Sequence, residues 1–340
     1  MIFGFKIIAG IPEDLAYKIL GNTGMKLSRH TYNTPVNNPI RAVMVNSNLD
    51  QYFLWMNINA GVLVGGKETY DIEFVREPDF LLLDEKFKIY LAEIFEKNIS
   101  DRLPPLREWG LHTMIYGMDI IVEHIAETMC VFAKTDMPAA RLNAKNATGM
   151  VAPYESAYRG KLEIYPKSEL IRLNKIEYKE PPNDYADETH HDIIRFLLIN
   201  RRSNMGYAKR FLRKFEMDLW RLESFLNPLV VTNVFAKSYL DSIGSGDFYK
   251  YEKAVEIIEN KVSNFQNRWL LLALLEAINE KGTVAKVRAG YADKVKFAKD
   301  LKLLRDAGIN GALLDKSMKI ERIVNPLGDI LEKGSMYSQY

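Results

Sequence analysis

An α+β fold is what this sequence predicts: a mostly antiparallel sheet with intervening helices, followed by an all-helical C-terminal domain. Three observations predict it. Short apolar or alternating runs, each closed by turn residues, recur up to about residue 200. Helical periodicity fills several of the gaps between them. Beyond Asn227-Pro228 the pattern is helical only. A chain of 340 residues is long enough for two domains, and the change of pattern divides it into residues 1–227 and 228–340.

Residues 7–9 read as a strand, and Pro12-Glu13-Asp14 then starts a helix with acid in its first turn. Residues 41–46 and 52–58 are two strands joined by the polar turn Ser47-Asn48-Leu49-Asp50. The second runs on through INAGVLVGG until Gly65-Gly66 breaks it. Residues 79–99 are helical, with Phe80, Phe87, Leu91, Ile94 and Phe95 on one face and Asp84, Glu85, Lys86 and Glu93 facing outward. Pro104-Pro105 stops this helix, and residues 111–122 return as a strand. MPAARLNAKNATGMVAP reads as a mobile connector. Residues 161–165 and 170–178 continue the sheet, and PPNDYADETHHD is a polar connection to a further strand at 193–199. A basic helix over 205–222 follows, and helices at 234–242, 250–260, 267–279, 283–290 and 293–307 complete the chain.

The formal net charge is only +2, but the charge is unevenly placed. Residues 67–108 hold seven basic and eleven acidic side chains, residues 201–222 seven against two, and residues 283–322 ten against five. Two basic blocks suit neutralisation of phosphates, so nucleic acid is the partner the pattern favours over a merely solvated surface. Cys130 is the only cysteine, which excludes an intramolecular disulfide and a Cys-rich zinc site and fits a reducing compartment. No apolar run approaches the ~20 residues that span a bilayer. FKIIAGIPED lacks the basic segment and cleavage site of a signal peptide. The expectation is a cytoplasmic protein with no membrane contact.

Within residues 283–315 two short helices flank a tight turn. TVAKVRAGY is the first, Ala292-Asp293 is the turn with Asp293 as N-cap, and the second carries Phe297, Leu301 and Leu304 at i, i+4, i+7. Lys294, Lys296, Lys299, Lys302 and Arg305 cover much of its remaining surface, and Gly308 closes it. This is the footprint of a helix-turn-helix that binds DNA. A helical hairpin with solvated lysines is the alternative.

Three sites could carry chemistry. His190-His191 could ligate a metal, although neighbouring side chains on an extended chain point to opposite faces and rarely meet one ion. Asp119 sits in an apolar strand, MIYGMDIIVEH, and by alternation shares a face with Gly117, Ile121 and Glu123. A carboxylate there needs a cation or an ion-pair partner, so it is either a metal ligand or salt-bridged to a neighbouring arginine. Tyr207 opens the basic helix after IIRFLLINRRS. It could attack a phosphodiester and hold the cut end, with Arg201, Arg202, Lys209, Arg210, Arg213 and Lys214 receiving the backbone.

The order of these segments resembles the rolling-circle replication initiators of plasmids and filamentous-type phages, in the group without a paired-histidine motif. MNINAGVLVGG, LPPLREWGLHTMIYGMDI, IIRFLLINRRSNMGY, YLDSIGSGDFYKYEKAVEII and LKLLRDAGINGALLDKS carry the resemblance, which covers most of the chain. It implies origin DNA as partner, often bound by a dimer. It also implies strand nicking and rejoining with Tyr207 as nucleophile beside Arg195, and Mg²⁺ or Mn²⁺ at Asp119. Several acids of the family's pattern are replaced here. Tyr116, Leu197 and Ile199 stand where the family has carboxylates, and Asn174-Lys175-Ile176 replaces its Tyr-Asp-Lys. Glu123 and Glu177 are the carboxylates that could substitute. The alternative expectation is a relative that binds DNA without cutting.

Overall fold

The sheet is built outward from β1 (Ile2–Ile11), whose Phe5, Ile7, Ala9 and Ile11 alternate with Lys6, Ile8 and Gly10. In the computed structural model, residues 2–28, 31–34, 38–66, 79–135, 160–168, 192–219 and 221–336 are described. β2 (Tyr32–Asn33), β3 (Ile40–Asn48), β4 (Gln51–Asn59), β5 (Gly110–Ile121), β6 (Lys161–Pro166) and β7 (Ile193–Arg201) join β1 in one antiparallel sheet of order β2-β3-β4-β1-β5-β7-β6. The β3–β4 hairpin closes on Leu49-Asp50, with Asn48 paired to Gln51 and φ of +47° and +61° at the two turn residues. Positive φ at both positions matches the right-handed twist of the strands, at the cost of placing a leucine in the left-handed region.

Alternation separates two sheet faces. Phe5, Ile7, Leu54, Met56, Met114, Met118, Phe196 and Leu198 are buried on one of them. The helix Ile125–Phe132 brings Phe132 onto this face, and Pro228–Ser242 brings Phe235 and Tyr239. Phe196 meets these three rings at 6.0, 6.3 and 5.8 Å. On the opposite face Lys6, Ile8, Phe53, Trp55 and Ile115 are half-buried, and Asn57, Ile121 and Arg201 are exposed.

The expected α+β class is the one formed, and most expected strands lie within a few residues of their predicted bounds. Three stretches differ. INAGVLVGG ends β4 at Asn59, whose side chain accepts from Val62 N and starts the helix Ala60–Gly65. A run of small apolar residues has no period that tells strand from helix, and the asparagine cap decides it. The helix Ile125–Phe132 was not foreseen. The basic helix is shorter than expected, Gly206–Lys214, because the chain turns at Glu216 (φ +55°), and Leu222–Leu226 forms a separate short helix.

Asn227-Pro228 is a helix start, with the Asn227 side chain accepting from Leu229 N and proline at the first helical position. The helix it opens packs onto the sheet, so the hydrophobic core runs without a break across the expected boundary at 227. Beyond it lie helices Tyr251–Lys261, Phe265–Lys281, Val284–Gly290, Lys294–Asp306 and Leu327–Met336, and a two-stranded ribbon of β8 (Phe248–Tyr249) and β9 (Arg322–Ile323). Buried Asn310 ties these parts together, donating to the carbonyls of Ile243 and Ser245 at 3.0 and 3.1 Å. Asn325 does the same for Gly244 and Gly246. A Cβ at Gly246 (φ +81°) would meet the Ile309 carbonyl carbon at 2.7 Å, so only glycine fits that crossing. Among the described residues no helix is long and apolar enough to cross a membrane. The expected strand at 170–178, with His190, His191 and Glu177, lies outside the described residues.

Candidate nucleic-acid interface

Asp119 stands on β5 directly opposite Arg195 of β7. Arg195 Nε and Nη2 each donate to its carboxylate at 2.7 Å, and Lys167 Nζ, just past the end of β6, lies 3.2 Å from Oδ2. Arg195 is fully buried and Lys167 nearly so. Burial pushes the Asp119 carboxyl upward, but the hydrogen bonds and charges of Arg195 and Lys167 together outweigh it and hold the group below its ordinary range. Of the two readings of this aspartate, the arginine ion pair is the one formed.

These residues do not fit a divalent ion. Such an ion prefers several oxygen ligands, whereas both oxygens of Asp119 face cationic nitrogens. Glu123 does not join it, because β5 ends at Ile121 and the Glu123 side chain is exposed beside His124. Among the described residues no three His, Cys, Asp or Glu side chains cluster closely enough to hold a metal.

Tyr207 is elsewhere. Its hydroxyl donates to Asp241 of the helix Pro228–Ser242, Lys237 Nζ sits 5.4 Å from its ring centre, and Lys237 also bonds Asp241 at 2.7 Å. That helix covers the Phe196 face. Arg195, next to Phe196 on β7, points to the other face. The Asp119 cluster and Tyr207 are therefore on opposite sides of the sheet. Six residues of β7, about 20 Å of strand, also separate Arg195 from the Arg201 end where the Tyr207 helix departs. Asp241 is placed as a base for the Tyr207 phenol, but the pair stands away from the acid that would carry the metal.

The basic residues divide by location. Arg201 and Arg202 are exposed at the end of β7. In the helix Gly206–Lys214, Ala208 and Leu212 are buried, Lys209 is half-buried, and Arg210, Arg213 and Lys214 are exposed. In the C-terminal module, Val284–Gly290 and Lys294–Asp306 pack on Phe265–Lys281 around a turn of Tyr291, Ala292 and Asp293. Asp293 caps the second helix by accepting from Val295 N and Lys296 N, and Phe297, Leu301 and Leu304 are buried as their spacing predicts. Lys294 does not face solvent as a free cation. Its Nζ caps the preceding helix, donating to the carbonyls of Ala289 and Tyr291 at 2.9 and 2.7 Å. Lys302 pairs with Asp306 at 3.0 Å. Val295, Lys296 and Lys299 form the exposed edge.

Lys167, Lys237 and Asp241 were not anticipated, since they meet Asp119 and Tyr207 across long separations in sequence. A half-exposed group on the open face, Lys6, Trp55 and His112, was also missed. Its signal was present in the outward positions of β1 and β4. Compared with known protein families, curated proteins and solved structures, the chain matches none.

Proposed function

We propose that this chain is a DNA-binding protein of the replication-initiator type that grips duplex DNA with its C-terminal helical module and does not cut it by a metal-assisted tyrosine. One observation carries the binding claim. The helix Lys294–Asp306 leaves Val295, Lys296 and Lys299 exposed in its first half, while Asp293, Lys294 and Phe297 fix its angle to the neighbouring helices. The first turns of a second helix are what a helix-turn-helix presents to the major groove, with lysines for phosphate or guanine and an apolar group for a thymine methyl.

The separation of Tyr207 from Asp119, and the ion pairs that occupy Asp119, support binding without this chemistry. Phosphoryl transfer needs its charge stabilisation assembled at the reacting phosphate. A cytoplasmic setting, suited to the single Cys130, belongs to the same reading.

The test is a salt titration of duplex binding, using a fragment that carries the sequence upstream of the coding region. Binding should weaken with salt, and Lys296→Ala/Lys299→Ala should lower the slope of log affinity against log salt by about 2, from ~0.9 per phosphate contact. Salt-independent binding, or a slope unchanged in the double variant, refutes this assignment.

A further inference from the structure

The open face of the sheet carries a second cationic surface, assembled from strands far apart in sequence. The registers pair Lys6 with Asn57 and with Thr113, and Thr113 with Arg201, so these four side chains form one row across β4, β1, β5 and β7. Lys6 Nζ lies 4.9 Å from the centre of the Trp55 ring, and Trp55 meets His112 edge-on at 4.6 Å. Arg202 follows Arg201 at the exposed strand end. Phe53 occupies the next position of this face on β4, opposite exposed Gly10, which has no side chain to cover the ring.

The charges that act on Lys6 and His112 are all positive. Burial is the larger influence on each, and Arg201 adds to it at Lys6, while Lys6, Arg201 and Arg202 add to it at His112. Lys6 and His112 thus sit partly desolvated beside positive charge, a setting that favours an anion over a further cation. Half-exposed rings among such charges suit a strand whose bases are free to stack. A duplex hides its base faces and offers nothing to Trp55.

We propose that this face is a docking surface for single-stranded DNA, with Lys6, Arg201 and Arg202 on the phosphates and Trp55 and Phe53 under unstacked bases. The proposal rests on the DNA-binding reading above, but it uses a different surface from the helical module and can fail separately.

The experiment measures binding of a fluorescently labelled, mixed-sequence single-stranded oligodeoxynucleotide, with matched duplex and RNA probes. Lys6→Gln/Arg201→Gln/Arg202→Gln should weaken the single strand at least tenfold. It should also lower its salt slope by about 2, from ~0.7 per contact, and leave duplex affinity unchanged. Trp55→Leu should cost about tenfold and Trp55→Phe far less, because a phenyl ring still stacks. Lys296→Ala/Lys299→Ala should show the reverse pattern, with duplex binding weakened and its salt slope lowered while single-strand binding is kept. Arg201→Gln/Arg202→Gln alone, at two exposed positions, should melt like the wild type and cost at least threefold. Wild-type affinity for the single strand in the triple variant overturns the proposal and leaves duplex binding by the module standing. So does binding of RNA or duplex but not single-stranded DNA at this face. A wild-type chain that binds no probe overturns both readings.

Discussion

Replacing Asp119 by alanine removes the carboxylate that Arg195 Nε and Nη2 and Lys167 Nζ share. The guanidinium is fully buried and the lysine nearly so, so the two cations then confront each other in a poorly solvated site. Breaking a buried pair from one side costs about 3–5 kcal/mol. The Asp119 side chain keeps 19% of its exposure, which admits some water and points to the lower end, about 3 kcal/mol. That is a large part of the 5–15 kcal/mol that holds a typical domain folded. Urea unfolding at pH 7 should show the loss as a lower midpoint at constant slope. Acid should show it too. The carboxyl is held below its ordinary value in the fold, so its stabilisation is complete above the unfolded value near 4 and is lost as pH falls through the folded one. That acid-side loss should be smaller in Asp119→Ala. An apolar replacement of the whole group, Asp119→Leu/Arg195→Met/Lys167→Met, should recover most of the stability. The reasoning is refuted if Asp119→Ala is neutral, or if Mn²⁺ raises the wild-type melting temperature and the variant abolishes that rise, because the carboxylate would then be serving a metal.

Other consequences can be measured directly. Leu49→Asn should stabilise the β3–β4 hairpin by about 1 kcal/mol in thermal melts, since Leu49 is 89% exposed with φ +47° and asparagine tolerates that region. Asn310→Ala should cost about 1–2 kcal/mol by removing the donor to the part-buried Ser245 carbonyl and leaving the Ile243 carbonyl to Arg305 Nη2 alone, and amide exchange should rise around Gly244 and Gly246. Lys294→Ala should lower the melting temperature by removing a helix cap, about 1 kcal/mol, without changing the salt slope of duplex binding. His112 should titrate below 6.5 by NMR, held down by burial and then by Lys6, Arg201 and Arg202. Lys6→Met should move it upward. Because the folded value is the lower one, protonating this histidine below about pH 6.5 costs stability.

Much of the sheet was legible because strands with one buried face announce themselves. Phe5, Ile7 and Ala9 against Lys6 and Ile8, or Leu54 and Met56 against Phe53 and Trp55, alternate clearly. The helix after Asn59 was not legible, since GVLVG carries no period and its cap is a single side chain. The ion pair of Asp119 was visible as one of two options, but its partners depend on the β5–β7 register and on where β6 ends, which pairing across the sheet decides. Lys294 shows the same limit from the other side. Its charge is plain in the sequence, whereas its position at the first turn of a helix lets it reach back to the carbonyls of the preceding one. Tyr207 was singled out by its place after β7. The residues that hold it, Lys237 and Asp241, lie two helices later and on the opposite side of the sheet from Asp119.

Incubating the protein with supercoiled DNA that carries its own upstream region, in Mg²⁺ or Mn²⁺, tests the central claim most directly. The account predicts salt-sensitive complexes of intact circles, with no nicked product and no protein left attached after denaturation. A covalent protein–DNA adduct that disappears in Tyr207→Phe would contradict it.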